Sequence, residues 1–123
     1  HLERPAVLVA HSLGCHLVAA WAAHSRQTAR VQAALLVAPS DTERAELQGC
    51  LPSWSVVLQR LPFTSTLVAS RNDPFCHLER AQQFARAWGS QFHDLGEAGH
   101  INADSGLGDW PKGHELLQAL INP

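Results

Sequence analysis

The chain has no long hydrophobic run, no surplus of positive charge and no paired-cysteine spacing. Each absence removes a class of protein. No apolar stretch approaches the roughly 18 residues of a membrane-crossing helix, so no membrane partner is expected. Nine Lys and Arg against eleven Asp and Glu give a net charge of −2, and the cations are scattered. That leaves no basic footprint for nucleic acid. The three cysteines, Cys15, Cys50 and Cys76, are odd in number and form no CxxC pair. They fit reduced thiols in a cytoplasmic protein better than a disulfide framework. His1-Leu2-Glu3-Arg4-Pro5 has neither the basic nor the apolar region of a secretory leader, which agrees with that compartment. Repeats and low-complexity segments are missing too. Eight histidines raise the question of a metal, but no HExxH occurs, and His11 and His16 fall off one helical face. Cys76-His77 lacks a second ligand pair. No metal and no cofactor is expected.

What is present reads as one globular domain: 123 residues, 46% of them hydrophobic. Four short apolar segments read as strands: Ala6 to Ala10, Ala33 to Val37, Thr66 to Ser70 and Gln91 to Leu95. The second does not alternate, as expected of a strand buried on both faces of a parallel sheet. Helical patterns lie between and after them. Leu13 to Ser25 follows the first strand. Leu78, Ala81, Phe84, Ala85 and Trp88 make a stripe closed by Gly89. Glu115 to Ile121 makes a last helix behind Trp110-Pro111. Alternating strands and helices predict an α/β fold with a parallel sheet and right-handed crossovers. The stretch from Asp41 to Pro62 is poorly legible, with a short helix expected around Glu43 to Gln48 before Leu51-Pro52-Ser53-Trp54 breaks the pattern.

The chemistry sits at the strand ends. Ala10-His11-Ser12-Leu13-Gly14 joins a strand to a helix through a sharp turn with a central serine, the nucleophile elbow of the α/β-hydrolases. Strand and helix nearly touch there, so positions two before and two after the serine must be small. Gly14 meets that rule, and Ala10 meets it with one extra methyl. The carboxyl ends of parallel strands gather ligand-binding residues. Ser40-Asp41 follows the second strand, Asn72-Asp73-Pro74 the third, and Gly96-Glu97-Ala98-Gly99-His100 the fourth. The order is serine, acid, histidine, as this fold arranges its triad. A serine hydroxyl needs a base, and His100, in a glycine-flanked loop, fits that role. An acid must fix the imidazole tautomer. Asp73 is preferred because Asp-Pro after a strand fixes a turn that presents the carboxylate. Asp41 is its rival. The Leu13 backbone N–H would supply half of an oxyanion hole. His11 would support the turn, and Cys15 reads as a small buried residue rather than a nucleophile. Trp54 and Phe75 are candidate pocket walls. Trp110 would anchor the tail and hold the His100 loop.

These residues together resemble the small serine hydrolases of the YdeN and retinoblastoma-binding-protein type, a branch of the α/β-hydrolases. The matching strings are His11-Ser12-Leu13-Gly14-Cys15, Ala38-Pro39-Ser40-Asp41, Asn72-Asp73-Pro74-Phe75-Cys76 and Gly99-His100-Ile101-Asn102. The tail Ser105-Gly106-Leu107-Gly108-Asp109-Trp110-Pro111 and then Gly113 is the most specific. The resemblance implies Ser12, Asp73 and His100 as the triad. Ala10 stands where that family usually has glycine. The L-x-C-x-E string of retinoblastoma-pocket binding is absent, because Leu13-Gly14-Cys15-His16-Leu17 ends in leucine, so that partner is not expected. The implied fold is a three-layer sandwich with a mostly parallel sheet flanked by helices. Its elbow strand is central, so residues 1–123 are expected to be the carboxyl-terminal two-thirds of such a domain, with two strand–helix units of roughly 30 residues each missing ahead of it. Those units would carry the second oxyanion donor. The expected function is cleavage of an ester, thioester or amide of modest size through an acyl-enzyme, with a small acyl substrate as partner. The alternative is an interaction protein with a hydrolase fold and little turnover. Substrate identity, oligomeric state and the choice between hydrolysis and acyl transfer are not written in the sequence.

Overall fold

The computed structural model describes residues 6–43, 56–102, 105–108 and 110–122. Strands β1 (Ala6–His11), β2 (Val31–Val37), β3 (Thr64–Ala69) and β4 (Gln91–Asp94) form one sheet in the order β1-β2-β3-β4. All three pairings are parallel. Helices α1 (Leu13–His24), α2 (Leu78–Trp88) and α3 (Pro111–Ile121) follow β1, β3 and β4.

Strand β2 shows why three layers form. Its side chains alternate between the two faces, as the period of a strand requires. Ala34 and Leu36 enter a core with Cys15, Ala19, Phe84 and Trp88, beneath α1 and α2. Ala33, Leu35 and Val37 enter a second core with Val68, Ile101 and Leu120, on the α3 side. A strand covered on both faces has no polar side, which explains the unbroken apolar run from Ala33 to Val37. The α2 stripe buries Ala81, Phe84, Ala85 and Trp88. Its end is set by Gly89, left-handed at φ 72°, whose N–H reaches the last-turn carbonyls. The Trp88 indole N–H donates to the Val57 carbonyl at 2.8 Å.

Strand β1 is different. Beside β2 it has no second partner among the described residues, and Val9 is 61% exposed. On the other face of β1, Leu17 and Trp21 of α1 are also exposed, beside Leu8.

The expected elements recur with shifted ends. Strands β2 and β3 each start two residues earlier than expected, and β1 runs on through His11. Helix α3 begins at Pro111, not Glu115. Trp110 at φ 50° turns the chain, and Pro111 opens the helix where its missing N–H costs nothing. A Cβ on Gly113 would lie 2.3 Å from Trp110 Cε3, so the helix carries glycine where the indole lies on it. Cys50, Trp54, Asp109 and most of the helix expected at Glu43 to Gln48 lie outside the described residues.

Candidate active site

Ser12 stands between β1 and α1 at φ 60° and ψ −122°, a conformation that non-glycine residues seldom hold. Its N–H donates to the Val37 carbonyl at 3.0 Å, which ties the turn to the end of β2. The turn is less crowded than the sequence suggested. A Cβ on Gly14 would meet Ala10 Cβ at 3.6 Å, an ordinary contact. Ala10 therefore fits without strain.

The loops after β3 and β4 bring Asp73 and His100 to this turn. His100 Nε2 is 2.9 Å from Ser12 Oγ. His100 Nδ1 is 3.0 Å from each carboxylate oxygen of Asp73. Both side chains are buried, at 9% and 3% exposure, so solvent competes little for this pair. Asp73 Oδ1 also accepts the Phe75 N–H at 2.9 Å. With the ring proton of a neutral imidazole on Nδ1, facing the carboxylate, Nε2 presents its lone pair to Ser12. The Leu13 N–H opens the first turn of α1, where backbone donors have no partner inside the helix.

Asp41 lies elsewhere. Its carboxylate accepts from the Glu43 N–H at 3.2 Å and from Arg80 Nε at 3.4 Å. It makes no contact with His100 among the described residues.

The loops that carry His100 and Asp73 are knotted together by two residues to which no role was assigned from the sequence. The Ser70 hydroxyl donates to Asn72 Oδ1 and accepts the Ala98 N–H, each at 2.9 Å. Asn72 Oδ1 also accepts the Gly99 N–H at 2.8 Å. A serine and an asparagine just past the buried Leu67-Val68-Ala69 end of β3 were the available signal. Gly99 itself sits at φ 61° and Ile101 at φ 52°, so the chain bends sharply on both sides of His100. His11 Nε2 donates to the His100 carbonyl at 2.8 Å, and its ring lies 4.8 Å from the His100 ring. The Phe75 ring, 41% exposed, lies 4.7 Å from His100 on another side. A hollow of about 440 Å³ lined by Asn72, Pro74, Phe75, Gly99 and His100 opens beside them.

A third hydroxyl, named with Asp41 at the end of the second strand but given no role, also reaches the site. Ser40, 4% exposed, places its Oγ 2.8 Å from Ser12 Oγ. It follows Ala38, at φ 50°, which redirects the chain at the end of β2. The Ser40 carbonyl accepts from His16 Nε2 at 2.6 Å. Burial holds the His16 pKa below its ordinary value, so this imidazole is neutral. Burial likewise pushes the Cys15 thiol up to about 12, so it is protonated and no nucleophile. At the sheet edge, the Gly96 N–H and then Arg71 hold Asp94 below the usual carboxylate range. Among the described residues no group of three His, Cys, Asp or Glu could hold a metal ion. No helix of the described residues is long and apolar enough to cross a membrane.

A parallel sheet covered by helices on both faces, with a serine at a strand–helix turn facing histidine and acid on later loops, is the architecture of the α/β-hydrolases. The serine hydrolase family model matches residues 1–119, and the chain belongs to that family. A solved YdeN-like hydrolase from Pectobacterium atrosepticum is 32% identical, with a TM-score of 0.78 over 96% of this chain. This chain spans 62% of the length of that structure. The ydeN gene product of B. subtilis is 18% identical with a TM-score of 0.74, over 95% of this chain and 66% of its own. The Bacillus cereus carboxylesterase, also 18% identical, reaches 0.59 over 93% of this chain and 49% of its own, a likeness of fold. No curated protein matches the chain.

Proposed function

We propose that the protein cleaves a small acyl ester, thioester or amide through an acyl-enzyme on Ser12, with His100 as general base and acid and Asp73 as its orienting carboxylate. One observation carries this reading: the continuous line from Ser12 Oγ to His100 Nε2 at 2.9 Å and from His100 Nδ1 to Asp73 at 3.0 Å. Ser12 Oγ bonds to the substrate carbonyl carbon as its proton passes to Nε2. The carbonyl π pair moves to oxygen, where the Leu13 N–H donates to it. The pair then returns, and the leaving group departs with the proton from Nε2. Water repeats the sequence on the acyl-enzyme. Asp73 stabilises the imidazolium formed in each half. Phe75, exposed beside His100, forms part of the substrate wall. The buried reduced thiols Cys15 and Cys76 agree with a cytoplasmic setting.

We read the 123 residues as part of a larger hydrolase domain whose further strands cover β1 and carry a second oxyanion donor. The open side of β1 supports this. A fluorophosphonate probe tests the whole reading. It should label Ser12 in the full-length protein, and Ser12→Ala should abolish labelling. An unlabelled, folded wild type would leave the non-catalytic interaction protein as the better reading.

A further inference from the structure

The geometry points to Ser40 as a fourth catalytic residue, whose hydroxyl donates a hydrogen bond to the nucleophile oxygen of Ser12. This rests on the triad reading above. The direction of the bond follows by elimination. A general base is a neutral imidazole with one ring proton; Nδ1 of His100 faces both oxygens of Asp73, so that proton sits there and Nε2 is an acceptor. The Ser12 proton must then point to Nε2. The 2.8 Å contact between Ser12 Oγ and Ser40 Oγ still needs a proton, and only Ser40 has one to give.

Ser40 is also held for this task. It is buried, and three constraints fix it. Ala38 at φ 50° turns the chain after β2, and its N–H is anchored to the Val68 carbonyl at 2.8 Å. The neutral His16 on α1 grips the Ser40 carbonyl at 2.6 Å. The next residue, Asp41, donates its N–H to the Phe75 carbonyl at 2.8 Å, on the loop that carries Asp73. A hydroxyl pinned between the elbow helix and the acid loop has little freedom to turn away.

The consequence is chemical. As Ser12 Oγ bonds to the carbonyl carbon, its proton passes to His100 Nε2 and negative charge builds transiently on Oγ. The Ser40 O–H keeps its own proton and points at that charge. A preformed donor at a site of developing charge favours the transition state over the ground state. Once Oγ is an ester oxygen it is a poor acceptor, so the bond weakens in the acyl-enzyme. It strengthens again when Oγ leaves during deacylation. Ser40 therefore serves both halves of the cycle.

The test measures the second-order rate of Ser12 modification by a fluorophosphonate, together with kcat and KM on p-nitrophenyl acetate, in the full-length protein. Ser40→Ala should slow modification about 10-fold to 100-fold and lower kcat with little change in KM. Ser40→Cys, of similar volume but with a weak S–H donor, should fall between wild type and Ser40→Ala. It carries the test if the alanine variant fails to fold. Thermal melting of each variant accompanies the rates. Wild-type modification rates in a folded Ser40→Ala or Ser40→Cys would overturn the role of Ser40 while leaving the triad standing. A wild type that does not label would overturn both.

Discussion

Asp41 Oδ1 faces Arg80 Nε at 3.4 Å, and the same guanidinium also pairs with Glu43. The aspartate one strand nearer to Ser12 is thus engaged by a cation, while the farther one, Asp73, holds the histidine. Asp73→Asn should lower turnover by about 10⁴-fold, the loss expected when a triad histidine is held in the wrong tautomer. Asp41→Asn should change turnover by less than about 10-fold, because a partly exposed ion pair contributes little. Steady-state rates of both variants decide the matter, and a reversed ranking would make Asp41 the acid.

Acid should weaken the fold through His16. Its folded pKa lies below the ordinary 6.5 because burial penalises the charged ring. The unfolded chain takes up this proton below that value and the folded chain resists it. The His16 contribution is therefore complete above pH 6.5 and declines as pH falls toward the folded pKa. His16→Gln should show a shallower drop in Tm between about pH 7 and pH 5 than wild type. Parallel slopes from calorimetry would show that other groups set the acid limit.

Trp110 should act on His100 through packing. It lies half-buried against the core that contains Ile101, the residue after His100. Trp110→Ala should cost about 3 kcal/mol, near the lower end for a buried tryptophan. Turnover measured well below the new Tm should also fall, by up to about 100-fold, since small displacements of a catalytic group are costly. Gly113→Ala should move the ring and reproduce part of this loss. Wild-type turnover in a folded Trp110→Ala would reduce the tryptophan to core filling.

The open side of β1 predicts association. Expressed as these 123 residues, the chain should form oligomers or aggregates in sedimentation velocity, because an unpaired apolar strand edge recruits other chains. Val9→Lys should reduce that tendency by placing charge on the edge. A monodisperse, cooperatively melting monomer would contradict the expectation.

Much of the fold was legible because burial on both faces leaves a strong trace. Ala33 to Val37 could hardly be anything but a central strand, and the Leu78 to Trp88 stripe with Gly89 marked a helix and its end. The start of α3 was missed by four residues, because Lys112 and His114 hide the helical face and Gly113 lowers helix propensity. That glycine makes sense only once the Trp110 ring is seen against it. Ser12, Asp73 and His100 were legible as strand-end residues of the right types. The contacts of Ser40, Ser70 and Asn72 were not, since a short polar residue at a strand end looks alike whether it bonds a neighbouring side chain, ties two loops or merely faces water. Ala10 reads as small enough for the turn, and the structure agrees, since even a Cβ on Gly14 would lie 3.6 Å from Ala10 Cβ.

The Ser70–Asn72 knot has a mechanical result. By binding the Ala98 and Gly99 N–H groups, it welds the Asp73 and His100 loops into one body. Ser12 belongs to another body, the β1–α1 corner. The seam between the two is crossed by the contact from His100 to Ser12 and by the His11 bond to the His100 carbonyl. Flexing of the sheet would therefore leave the Asp73–His100 distance nearly constant and alter the reach from His100 to Ser12. Under the proposed mechanism, turnover would depend on that reach, which the His11 bond to the His100 carbonyl helps to hold.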